Sequence, residues 1–203
     1  MKRAAIGVRA HSGWTAMVAI ALEEGSPWVL WRGRPHLVET FTFEFRQPFH
    51  TAEKLPIDEA RGAIAHAREE ATRLAQHAIA TVQRRAADVG HELTTCGLLL
   101  ASGRPLPSLE RTLASHALIH TADGELFREA LVAAAKSSGL EVFAIKESEV
   151  VASASRELGM KPDAILRRIT RLGADLGPPW AQDEKLAALA AWMALMHRSV
   201  ARA

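Results

Sequence analysis

Between Leu93 and Val150 the chain reads as strand, long helix, strand, and this unit narrows the possible folds more than any other stretch. Leu93 to Ala101 is a short apolar run of the kind buried inside a parallel sheet. It leaves into Ser102-Gly103-Arg104-Pro105, which is turn chemistry. From Ser108 a helical pattern runs to Ser138, with Gly139 as its stop. Leu140 to Ile145 is the second strand, followed by Lys146-Glu147-Ser148. Two strands joined by a helix of that length are parallel strands linked by a crossover. Ser102 and Glu147 then lie at the carboxyl ends of those strands, where open α/β sheets place their sites.

The flanking segments extend this unit. Ala4–Ala10 and Trp14–Leu22 read as two strands around a His11-Ser12-Gly13 turn, the second alternating with period two. Trp28–Trp31 and Leu37–Phe45 read as a third strand region, with Phe41, Phe43 and Phe45 on one face and Arg32-Gly33-Arg34-Pro35 as a bulge or break. The chain is thus expected to open with a three-stranded antiparallel meander. Pro56 suits the first turn of a long helix that carries Ile57, Ala60, Ile64, Ala71, Leu74, Ala78 and Val82 at helical spacing and stops at Gly90. Helices are also expected over Glu149–Leu158 and Pro162–Leu172, and from about Ala181 into the 190s. With no repeat, low-complexity tract or dividing linker, residues 1–203 read as one α/β domain: three antiparallel strands, then two parallel strands, with helices on both faces.

Composition excludes several classes. Cys96 is the only cysteine, which rules out an intrachain disulfide or a multi-cysteine zinc site and fits a small core residue. No apolar run approaches the ~18 residues of a membrane span, and Met1-Lys2-Arg3 leads into a strand, not a signal-peptide core. The expectation is a cytoplasmic protein without membrane partners. Abundant Ala and Arg with no Tyr suggest a high-GC bacterial genome. A net charge of +2 permits nucleic-acid binding without requiring it.

The order of elements and three stretches resemble the ribonuclease H-like superfamily, and in detail its RuvC resolvase branch. Ile6-Gly7-Val8-Arg9, with a Ser-Gly turn and Trp14 after it, is similar to the family's opening strand. Glu129–Ala135 and then Gly139–Val142 resemble its second helix running into the fifth strand. Asp183-Glu184-Lys185 followed by an Ala-Leu-rich run is similar to its last motif. The resemblance implies phosphodiester cleavage by two divalent metals held on clustered carboxylates. It also locates the departures. Arg9 stands where the first carboxylate belongs and Ser102 where the second does, while Asp183, Glu184 and Glu147 remain. An arginine repels Mg²⁺, which needs oxygen ligands. The resemblance therefore implies the fold and argues against the usual chemistry.

Three constellations carry the candidate residues. Arg9, His11 and Ser12, Ser102 and Arg104, Glu147 and Ser148, and Asp183 and Lys185 would converge on one end of the sheet, with Arg9 paired to Glu147 or Asp183. A structural salt bridge is favoured there over a ligand site, with Glu147, Asp183 and Ser102 as catalytic candidates and Arg9, Ser12, Arg104 and Lys185 as binding ones. His116 and His120 sit one helical turn apart with Asp123 three residues on, a spacing able to chelate a transition metal; packing or hydrogen bonding against the sheet is the favoured reading. Gly124 lowers helix propensity by about 1 kcal/mol and marks either a close backbone approach or a break in the helix. The arginines of the long helix (Arg61, Arg68, Arg73, Arg84, Arg85) read as a solvated, ion-paired face in preference to a nucleic-acid stripe. Trp180, behind two prolines, is either an exposed platform or, more often, a core cap.

The leading expectation is a RuvC-like chain that binds nucleic acid or a protein partner without cutting, using Arg9, Arg34 and Arg104 on phosphate. No cofactor is expected. The alternatives are a Mg- or Mn-dependent hydrolase built on Glu147, Asp183 and one of the two histidines, and a dimeric scaffold using the His116 helix or the Trp180 loop.

Overall fold

The computed structural model describes residues 1–101 and 105–200, with side chains as far as His197. Strands β1 (Lys2–His11) and β2 (Trp14–Glu23) form an antiparallel hairpin whose turn uses Gly13 at φ +81°. Strand β3 (Ser26–Gly33) pairs antiparallel with β2. β4 (His91–Leu100) then joins the other side of β1, in parallel, and β5 (Glu141–Lys146) lies parallel to β4. The sheet order is β3-β2-β1-β4-β5, so β1 is antiparallel to one neighbour and parallel to the other. The expected strand directions hold; the central place of β1 follows from pairing alone.

Helices cover both faces, so the strands alternate between two cores and not between core and solvent. On β2, Met17, Ala19 and Ala21 face the first core, and Val18 and Ile20 face the second. The first core lies under α3 (Ile57–Asp88) and α5 (His116–Ser137). The second lies under α6 (Val150–Leu158), α7 (Pro162–Leu172) and α8 (Gln182–Val200). Cys96 is buried in β4 within the first core, and burial pushes its thiol pKa up to about 12, as a packing residue requires.

Two expectations give way. Leu37–Phe45 is not a strand. His36 makes one isolated bridge to Trp14, Leu37 N–H bonds the Gly13 carbonyl, and the chain turns into short helices α1 (Phe43–Arg46) and α2 (Pro48–Ala52). Pro35 has no N–H for a ladder, and Phe41, Phe43 and Phe45 are left exposed at 42%, 59% and 43%. The helix from Ser108 also divides, into α4 (Leu109–Leu113) and α5. Ser108 caps the first, and Ser115, in extended geometry, begins the second. Gly124 does not interrupt α5; the Arg128 head group lies over it.

α8 crosses the sheet with unusual closeness. A Cβ on Gly7 would sit 1.8 Å from the Ala187 carbonyl oxygen, and one on Gly97 would sit 2.3 Å from that of Ala190. These two glycines face each other on β1 and β4. With Ala187, Ala188, Ala190 and Ala191 fully buried, they let the helix backbone rest on the sheet. That contact sets the first turn of α8 over the ends of β1 and β5. Trp180 just before α8 is a cap, not a platform: its Nε1–H donates to the Ile169 carbonyl and its ring lies against Gly173.

Candidate functional site

At the carboxyl ends of the parallel strands, Arg9 of β1 lies between two carboxylates. Its Nε and Nη2 grip Glu147, the residue after β5, at 2.8 and 2.7 Å, and its Nη1 donates to Asp183 in the first turn of α8. The fork geometry of guanidinium suits this bidentate hold. Hydrogen bonding to Glu147 raises the Arg9 pKa further. The other Asp183 contacts are His11 Nε2 at 3.0 Å and Arg34 at 3.6 Å. Burial works to raise the Asp183 pKa, but His11 and Arg9 outweigh it and hold the carboxyl below its ordinary value. Burial and the Arg9 charge drive the His11 pKa down, against the opposing pull of Asp183.

A second pair sits beside the first. Glu184 is 1% exposed and takes two bonds from Arg34, at 2.6 and 3.1 Å, plus the Ala181 N–H at 2.9 Å. These hold its pKa below the usual carboxylate range against the cost of burial. Trp14 supports the group: His11 stacks on it at 4.2 Å and the Arg34 guanidinium lies over its ring at 5.1 Å.

The residues present do not fit a two-metal centre. Both Glu147 oxygens are taken by Arg9, and the Asp183 oxygens by Arg9, His11 and Arg34. A hard cation needs several free oxygens converging on one point, and the guanidinium occupies that point.

Arg9, His11, Glu147 and Asp183 come together as the sequence places them. Ser12 is half-buried in the hairpin turn, and its carbonyl accepts from Arg46 Nε. Lys185 is half-buried on the same turn as Asp183, and no ion pair among the described residues includes it. Ser102 and Arg104 lie outside the described residues. Arg34, expected on phosphate, is committed to Glu184 instead. Three of the five long-helix arginines form ion pairs, but across elements: Arg61 with Glu110, Arg68 with Glu129, Arg73 with Glu39; no ion pair among the described residues includes Arg84 or Arg85. On α7, by contrast, Arg167 and Arg171 are exposed one turn apart, Lys161 precedes them, and no ion pair among the described residues includes any of the three.

The histidine expectation changes more. His116 and His120 do not pack against the sheet; both are exposed, because α5 turns Ile119, Ala122, Asp123 and Leu126 inward. Asp123 is not beside them as a third ligand. Its Oδ2 meets His50 Nδ1 at 2.5 Å and its Oδ1 accepts the Phe49 N–H at 2.8 Å. Burial pushes the Asp123 pKa up in spite of both bonds. His50, from α2, was not among the sequence candidates; a lone histidine sixty-six residues upstream of His116 carries no local signal.

No family model matches the chain, and no curated protein does. Solved structures do. Thermus thermophilus RuvC in complex with a Holliday junction substrate superposes with a TM-score of 0.56 at 9% identity, covering 98% of this chain and 96% of that one. Another Thermus thermophilus RuvC structure gives 0.55 at 10% identity, with the same coverage. The fold is ribonuclease H-like and similar to that of RuvC.

Proposed function

We propose that this RuvC-like chain binds nucleic acid and does not cut it. The observation that carries this reading is Arg9: its guanidinium lies among the carboxylates and holds Glu147 and Asp183 in ion pairs. Without free oxygens for Mg²⁺ or Mn²⁺ there is no metal-activated water and no clamp on a scissile phosphate. The likeness to a RuvC that was solved on a junction supports a nucleic-acid ligand. So do Lys161, Arg167 and Arg171, cations free for phosphate contact.

The test is anisotropy of labelled single-stranded, duplex and four-way-junction DNA at two salt concentrations, with and without Mn²⁺, followed by a denaturing gel. The expected result is salt-sensitive binding with the probe intact. A face making about three phosphate contacts gives a log–log salt slope near −3, and Arg167→Ala with Arg171→Ala lowers its size by about 2. Mn²⁺-dependent cleavage abolished by Asp183→Asn would overturn the reading in favour of a hydrolase.

A second reading, a partner-binding or self-associating scaffold, is favoured by one feature. Phe41, Phe43 and Phe45 are exposed, and Phe45 lines a largely apolar groove with Leu37, Val38, Pro48 and Ala67. Absence of binding to every probe, with a mass that rises with concentration, would select it.

A further inference from the structure

We infer that His50, His116 and His120 form a binding site for a borderline transition-metal ion, with Zn²⁺ as the natural occupant, separate from the arginine–carboxylate cluster. One ligand atom from each imidazole lies within 4.8 Å of the other two. The His116 and His120 Nε2 atoms are 3.1 Å apart. Zinc–nitrogen bonds of about 2.0–2.1 Å in a tetrahedron require nitrogens about 3.3 Å apart, so this pair is already near chelating distance. The ring centroids of His50 lie 5.3 Å from His116 and 4.5 Å from His120.

The third histidine is braced as a ligand would be. Asp123, 2% exposed, takes the His50 Nδ1–H, which leaves Nε2 as the nitrogen whose lone pair is free to bind. Asp123 is itself fixed by the Phe49 N–H, the residue next to His50. A carboxylate behind a histidine is the outer-shell partner that orients metal-bound imidazole and raises its basicity. Three imidazoles without a clustered carboxylate select Zn²⁺, Co²⁺, Ni²⁺ or Cu²⁺ over Mg²⁺ and Ca²⁺.

The ligands come from two elements. His50 belongs to α2, in the connection that replaces the expected strand, and the others open α5. A bound ion would clip that connection to α5. Since His116 and His120 are exposed, the fourth position of a tetrahedral ion would face solvent and take water.

The experiment uses the full chain without a purification tag, stripped with chelator, reloaded with one equivalent of ZnCl₂ and dialysed. Retained metal is measured by mass spectrometry, and affinity by competition with a chromophoric chelator. The expected result is one Zn²⁺ per chain with Kd at or below about 1 µM. His120→Ala and His50→Ala abolish retention, Asp123→Asn weakens binding about 10–100-fold, and His11→Ala changes nothing. Circular dichroism of each variant establishes that it is folded. No retained zinc, or retention undiminished in folded His50→Ala or His120→Ala, would overturn the inference. Loss in His11→Ala instead would move the metal to the other cluster.

Discussion

Two clusters of polar side chains, both drawn from distant parts of the chain, solve opposite problems. The cluster at the ends of β1 and β5 gathers Glu147, Asp183 and Glu184 and neutralises them from within, using Arg9 and Arg34. The cluster between α2 and α5 gathers three imidazoles with lone pairs and a brace, and no cation of the described residues is paired into it. A donor set whose centre holds a guanidinium has its oxygens occupied, however acidic its residues. A donor set without such a cation is open to a metal, however ordinary its residues look singly. Counting carboxylates would rank the two the other way round.

The largest way to break the contrast is Gly7→Val. The added carbons meet the α8 backbone, which cannot rotate aside, so the cost should reach about 3 kcal/mol, the upper end for overpacking. Urea denaturation measures it, and a cost below about 1 kcal/mol would mean that α8 does not rest on Gly7.

Next is Arg9→Ala. It leaves Glu147 and Asp183 without their shared cation and should cost about 2 kcal/mol, discounted from a buried pair because both ends are partly solvated. It should also create a response to Mn²⁺: millimolar Mn²⁺ raises the melting temperature of the variant and leaves that of the native chain unchanged. An equal rise in the native chain would show that the carboxylates are already open to metal.

Smaller, and on the other cluster, Asp123→Ala should cost about 1–3 kcal/mol without any metal, because the Phe49 N–H loses its acceptor. Asp123→Asn, which keeps an acceptor, should cost less. Equal costs would separate the brace from that hydrogen bond.

The smallest effect is the pH response of the arginine cluster. Asp183 and Glu184 are held below their ordinary values, so their contribution is present above about pH 4 and is lost as pH falls through the folded-state values. His11 is also held low, so the unfolded chain protonates first, and its contribution is present above about pH 6.5 and declines below. Denaturation across a pH series should be flat between about 7 and 8, decline slightly toward 5 and fall more steeply below 4, a limb that Asp123, whose pKa is raised, blunts with the opposite sign; at alkaline pH stability falls again, because the buried Cys96 thiol is pushed up to about 12. Asp183→Asn should flatten the steep limb, and an unchanged limb would assign it to other carboxylates.

The strand–helix–strand unit, the opening hairpin and the terminal helices were legible because apolar runs, Gly stops and Pro starts are local signals. Misreadings occurred where local pattern lacked a partner. Phe41, Phe43 and Phe45 alternate as a strand would, but no strand among the described residues pairs with them. The pattern from Ser108 to Ser138 reads as one helix, but extended backbone at Ser115 divides it into α4 and α5.

Sequence alone, then, placed a cation at the end of the first strand: an arginine at position 9 is charged wherever the chain takes it. It also supplied Gly7, Gly97 and the alanines of α8, without which that helix could not approach the sheet. Only the tertiary structure decided that Arg9 meets both carboxylates, where the resemblance implied one or the other, and that His50 meets Asp123. Arg9 and Asp183 are separated by 174 positions, and His50 and Asp123 by 73. Contacts at such separations are set by sheet order and helix packing, which act through the whole core and leave no trace in any short window of sequence.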